Sequence, residues 1–189
     1  MTLYLASESP RRKMLFEKLG VEFKLLKPRS EKLFGFEGDP VEFVKNKALI
    51  KAKSVLNEVE NGAIIVSADT IVVINGEILE KPKNKTDAIR MLTRLSDNSH
   101  FVYTALVILD KAGKMEIEVE KTKVEMRAIS AEEIQRYVDT EEPLDAAGAY
   151  KIQETGMKFI KRIEGCFYNV IGLPVSRLVE MLKQFDINV

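Results

Sequence analysis

The sequence predicts an α/β fold in which a mixed sheet is flanked by helices, and three observations predict it. The chain opens on a short apolar run, Leu3-Tyr4-Leu5-Ala6, followed at once by a turn and a helix-start signal. A second run, Ala63-Ile64-Ile65-Val66, is continuously apolar, as strands buried on both faces are. Between and after these runs lie segments whose apolar residues recur with helical periodicity. Composition agrees with a globular chain: of 189 residues, 46% are hydrophobic and 31% charged, enough to bury a core without covalent staples.

The first turn is Ser7-Glu8-Ser9, and Pro10 stands where a helix begins, because its ring presets φ and its missing N–H is an orphan there anyway. Arg11 and Arg12 then occupy the positive end of the helix dipole, the wrong end for a cation. Free N–H groups, two hydroxyls and two guanidinium forks at one point suit a phosphate; the plainer reading is that both arginines reach solvent. The helix is predicted to run to Leu19 with Met14, Leu15 and Leu19 inward and Gly20 as its stop. Val21 to Leu26 follows as a strand, which completes a β-α-β unit with the Ser-Arg turn at the carboxyl end of its first strand, where ligands of open α/β sheets sit.

Pro28 to Asp39 is a polar loop carrying Glu31, and Asp39-Pro40 starts an amphipathic helix predicted to reach Val59. Its lysines, Lys51 among them, read as a solvated face. In Ser67-Ala68-Asp69-Thr70 the carboxylate of Asp69 comes at the carboxyl end of a buried strand, a costly place unless it is paired or binds a cation. Asn75-Gly76 between two apolar runs signals a hairpin, whose return brings Lys81-Pro82 back toward Asp69.

A helix capped at Asn84 or Thr86 buries Ala88, Met91, Leu92 and Leu95; His100 to Leu109 and Lys114 to Arg127 form a strand pair with one wet face. His100, the single histidine, reads as structural. Ser130 to Glu133 is a capping box heading a helix to Asp139. Glu141 to Gly148 is a loop dense in carboxylates, Gly148 to Gln153 leads into a short strand, Phe159 to Ile163 is another strand, Gly165 to Asn169 turns the chain, and Val175 to Phe185 is the last helix.

Lys+Arg and Asp+Glu number 29 each, and no basic stripe with interleaved aromatics appears, which argues against a binder of nucleic-acid polymer. Cys166 has no second cysteine to pair with. No signal peptide and no run approaching about 18 apolar residues is present, so a cytoplasmic protein with no membrane partner is expected. Walker-A and GxGxxG patterns are absent. Serines, arginines, lysines and a few carboxylates suit phosphate chemistry with a divalent metal.

Leu5-Ala-Ser-Glu-Ser-Pro-Arg-Arg12, Ser67-Ala-Asp-Thr70, Lys81-Pro82, the stretch from Glu142-Pro143 to Gln153, and Asn169-Val-Ile-Gly-Leu-Pro174 together resemble the Maf family of nucleoside triphosphate pyrophosphatases, also called septum-formation inhibitor Maf proteins. The resemblance implies an ITPase-like fold, a single Maf-like domain over residues 1–189 with two lobes around a deep cleft, and a homodimer. It implies hydrolysis of a nucleoside triphosphate to monophosphate and pyrophosphate with Mg²⁺, Mn²⁺ or Co²⁺. Ser7, Arg11, Arg12, Glu31, Lys51, Asp69, Lys81 and Gln153 stand where the family keeps its site residues.

On this resemblance Asp69, Glu31 and Lys81 are the expected catalytic residues, with Asp69 and Glu31 at the metal, and Ser7, Arg11, Arg12, Lys51 and Gln153 bind substrate. Pro-Arg-Arg together with Gln153 resembles the branch acting on dTTP and UTP, and in that role an amide carries a donor and an acceptor that suit a pyrimidine imide edge. The sequence departs from the family pattern at Glu80 and Asp97, where glycine is usual, and at Ala146, where lysine is common. The competing readings are a 7-methyl-GTP-type pyrophosphatase and a non-catalytic nucleotide-binding regulator of cell division.

Overall fold

A computed structural model describes residues 1–29 and 38–189. Its strands are β1 (Leu3–Ala6), β2 (Lys24–Leu26), β3 (Ile64–Ile74), β4 (Glu77–Leu79), β5 (Ser99–Asp110), β6 (Met115–Met126) and β7 (Ile160–Glu164). Its helices are α1 (Pro10–Glu17), α2 (Pro40–Ser54), α3 (Lys85–Leu95), α4 (Ala131–Asp139), α5 (Phe167–Ile171) and α6 (Val175–Lys183). Seven strands form one mixed sheet in the order β2-β1-β3-β5-β6-β7, with β4 paired to β3. The predicted α/β class holds. The chain divides into two compact units, and the divisions fall inside β3, β5 and β6 and between α5 and α6.

The first unit comprises Met1–Asp69, Thr104–Glu120 and Gly172–Val189. In it β1 pairs in parallel with both β2 and β3, and Ala6 stands opposite Ser67. Pro10 opens α1 as predicted, and Ser9 caps it by accepting the Arg12 N–H. The inward stripe of α1 is Arg12, Leu15 and Phe16, and Met14 is 37% exposed. Met14 was expected inside; the stripe instead follows i, i+3, i+4 from Arg12, and Phe16 fills the core position against Phe23.

Asp39 caps α2 by accepting the Val41 N–H at 3.0 Å. The helix ends at Ser54, short of the predicted Val59. Ser54 Oγ donates to the Lys51 carbonyl at 2.8 Å, a side-chain bond that competes with the helix ladder, and Val55 leaves helical geometry. Phe16, Val44, Ala48, Ala52 and Ile65 are fully buried where α1, α2 and the sheet supply the core.

The second unit comprises Thr70–Tyr103 and Lys121–Ile171. Asn75 and Gly76 both take positive φ between β3 and β4, as a two-residue hairpin with right-handed strand twist requires. Asn84 caps α3, which buries Ala88, Met91, Leu92 and Leu95 as the periodicity predicts. Asp97 holds φ +56, which accounts for the glycine usual at that position. The capping box of α4 is present in full, and α3 packs on α4.

Two expectations fail here. The segment from Gly148 to Gln153 forms no strand; it lies in a succession of tight turns over residues 142–159, with three-ten turns at Glu142–Asp145, Ala147–Ala149 and Thr155–Phe159. Residues 165–169 are not simply a turn, because Phe167–Ile171 is a short helix.

Candidate active site

The strand β3 and the helix α2 are joined by two rungs. Ser67 Oγ donates to the Ala48 carbonyl at 2.7 Å, and Lys51 Nζ donates to Asp69 Oδ1 and reaches the Ala68 carbonyl at 3.5 Å. Residues i and i+2 of a strand share a face, as do i and i+3 of a helix. One packing geometry therefore produces both rungs. β3 does not end at Asp69, as expected, but continues to Ile74, because Val72 to Ile74 pair antiparallel with β4 across the Asn75-Gly76 hairpin.

Lys51 keeps 18% of its side-chain surface exposed and Asp69 keeps 9%. Burial pushes the Lys51 ammonium below the ordinary lysine range; the Asp69 carboxylate opposes this, and the like charge of Arg12 adds to it. Arg12 is therefore electrostatically in touch with the pair. Lys51 lies in the last turn of α2, where the helix dipole favours a cation.

Beside this pair, β1 stops opposite Ser67 and the chain turns into α1. The Ser7 N–H donates to the carbonyls of Leu5 and Leu26, each at 3.1 Å, and Ser7 Oγ accepts the Ser9 N–H at 3.2 Å. Arg12 is 9% exposed, and its Nε donates to the Gly172 carbonyl at 2.8 Å. The guanidinium is thus held by the backbone of the segment before α6. Arg11 is half-buried on the same turn. Sequence reasoning did not find Gly172; its φ of +116 is its mark in the structure, and in the sequence it was visible only as part of a motif.

Ser7, Arg11, Arg12, Lys51 and Asp69 all belong to the first unit. Lys81 and Gln153 belong to the second. Lys81 is exposed and forms an ion pair with Asp145, a partner that the sequence showed only as one carboxylate in an acidic loop. Gln153 is half-buried, and its amide donates to Glu154 Oε1 at 3.3 Å. Glu31 lies outside the described residues. Among the described residues no three His, Cys, Asp or Glu side chains converge to hold a metal.

A buried carboxylate gripped by an ammonium, with a backbone-anchored guanidinium nearby and a helix N-terminus beside it, suits a polyanion that reacts with water. Residues 2–185 match the family model described as Maf-like protein. The chain is 46% identical over 185 residues to a dTTP/UTP pyrophosphatase of Dictyoglomus turgidum, covering 97% of this chain and 95% of that protein. It is 45% identical over 188 residues to a dTTP/UTP pyrophosphatase of Alkaliphilus metalliredigens, covering 98% and 97%. A solved nucleoside-triphosphatase, dITP/XTP pyrophosphatase, of Mycobacterium abscessus aligns at 17% identity and TM-score 0.44 over 68% of this chain and 76% of that one.

Proposed function

The chain belongs to the Maf family, and from that premise we propose that it hydrolyses dTTP and UTP to the monophosphate and pyrophosphate. In this reading residues 1–189 act as a single Maf-like domain of a cytoplasmic homodimer. Among the described residues no helix is long and apolar enough to cross a membrane.

The observation that carries the reading is the Lys51–Asp69 pair in the company of Arg12. A site that only binds anions has no use for a buried carboxylate. Asp69 orients the attacking water and accepts its proton; the water oxygen bonds to phosphorus, the bridging bond between the α- and β-phosphates breaks, and pyrophosphate leaves with the bonding electrons. Arg11, Arg12, Lys51 and Lys81 hold the phosphate oxygens and offset the charge that grows on the leaving group. Ser7 adds a hydroxyl at the mouth of α1, and Gln153 reads the base edge.

The donor set fits a hard divalent cation. Mg²⁺ asks the protein for one or two carboxylates and takes its other ligands from phosphates and water; Asp69 would supply one, and Glu31, expected from the family resemblance, would supply the second. Such a cation, Mg²⁺, Mn²⁺ or Co²⁺, supplies Lewis acidity at the phosphate oxygens when bound.

The test is product analysis with UTP, dTTP, GTP and 7-methyl-GTP, each with Mg²⁺, Mn²⁺ and Co²⁺, for the native protein and Asp69→Asn. UMP or dTMP with equimolar pyrophosphate is expected, and the variant should lose at least about a hundredfold in kcat. Binding without turnover would overturn the enzymatic reading, and near-normal turnover by Asp69→Asn would overturn the role of Asp69.

A further inference from the structure

The turn that carries Gln153 is tied at both feet to one small polar cluster. On its leading side the Lys151 N–H donates to the Tyr137 hydroxyl at 3.1 Å. On its trailing side the N–H groups of Thr155 and Gly156 donate to Glu142 at 3.3 and 3.2 Å, and the Thr155 hydroxyl donates to the same carboxylate. The Tyr137 hydroxyl closes the ring by donating to Glu142 Oε1 at 2.8 Å. A Cβ on Gly156 would lie 2.7 Å from the Lys151 carbonyl oxygen and 2.8 Å from the Tyr137 hydroxyl, so the two feet of the turn touch.

Beneath the cluster Tyr137 is 1% exposed, and its ring packs edge-on against Phe159 with centroids 5.1 Å apart. Burial raises the Tyr137 phenol above its ordinary range, and Glu142 adds to the rise, so the hydroxyl keeps the proton that it donates.

We propose that Glu142 and Tyr137 are positioning residues that fix the Gln153 turn and so set the discrimination between pyrimidine and purine triphosphates. Neither touches the base. Each acts through Gln153, because an amide reads a donor–acceptor pair only if its own backbone is held in place, and a displacement on the order of 1 Å is enough to spoil such a contact. The proposal rests on the assignment of Gln153 to base reading.

The test is the ratio of kcat/KM for UTP to that for GTP in the full-length protein and in Glu142→Ala, Glu142→Gln, Tyr137→Phe, Gln153→Ala and the Glu142→Ala/Gln153→Ala pair. Glu142→Ala should lower the ratio about tenfold, chiefly through KM for UTP. Glu142→Gln should restore part of it, and the double variant should be no worse than Gln153→Ala, because both changes break the same contact. If Gln153→Ala lowers the ratio while folded Glu142→Ala and Tyr137→Phe leave it unchanged, the positioning role fails and base reading by Gln153 stands. If Gln153→Ala leaves the ratio unchanged, base reading fails and the positioning role with it. If Glu142→Ala does not fold, Tyr137→Phe, which keeps the ring against Phe159, decides by the same ratio.

Discussion

Lys51 and Asp69 meet as a largely buried ion pair between the last turn of α2 and the interior of β3. Neither the helix nor the strand needs the pair for its own hydrogen bonds. The pair is a liability, because either partner alone is a charge without its counter-charge in a place that water reaches poorly.

Replacing Lys51 by Met should therefore affect stability and activity separately. The unpaired Asp69 carboxylate should cost about 3 kcal/mol in chemical denaturation, and Lys51→Met/Asp69→Asn should recover much of that loss. Activity should fall about a hundredfold in both. A single variant as stable as the native protein would show that the pair is not shielded as described.

Arg12→Lys keeps the charge and loses the Nε–H that bonds the Gly172 carbonyl. A lysine is a point charge on a flexible stem, without the planar fork. KM for UTP should rise about tenfold, with a cost in stability of about 2 kcal/mol from the unsatisfied buried carbonyl. Kinetics unchanged on this substitution would remove Arg12 from the phosphate grip.

His100 is 1% exposed, shares a 2.8 Å hydrogen bond between Nε2 and the Tyr150 hydroxyl, and is pushed down to about 4 by burial. The unfolded chain binds this proton near 6.5, so between the two values the unfolded state holds more protons and stability falls as pH falls. The contribution is complete above about pH 6.5 and is lost by about pH 4, a change of about 3 kcal/mol. Denaturant titrations at pH 7.5, 5.5 and 4.5 should show the gap between native protein and His100→Gln shrinking by that amount; parallel pH profiles would rule it out.

Gly156→Ala forces a methyl group against the Lys151 carbonyl and the Tyr137 hydroxyl. The backbone at 156 is not in the left-handed region, so the strain is purely steric. A loss of about 2 kcal/mol is expected, measured by thermal or denaturant unfolding. A neutral substitution would mean that the turn yields easily and holds nothing in place.

Much of the fold was legible because local signals agreed with burial. Asn75-Gly76, the Ser130 capping box and the inner face of α3 were read from residue type and spacing alone. Arg12 was the less legible case. It occupies the apolar stripe of α1, and a pattern that counts arginine as polar places Met14 inside in its stead. The segment from Gly148 to Gln153 failed as a strand for a related reason: the N–H of Lys151 goes to the Tyr137 hydroxyl and that of Gly148 to the Glu80 carbonyl, partners contributed from earlier in the chain. From pattern alone Lys51 was indistinguishable from its neighbouring lysines; the family resemblance picked it out, and the structure sets it beside Asp69. Contacts between distant residues leave no periodicity, and a site is made of such contacts.

The bond between Arg12 and the Gly172 carbonyl joins residues 160 positions apart. During synthesis the first strand and helix leave the ribosome long before Gly172 exists, so a nascent chain carries the arginine without the carbonyl that aims it. The guanidinium gains this anchor only once the segment before α6 has packed against it. A chain cut before Gly172 keeps the arginine and loses the carbonyl that holds it.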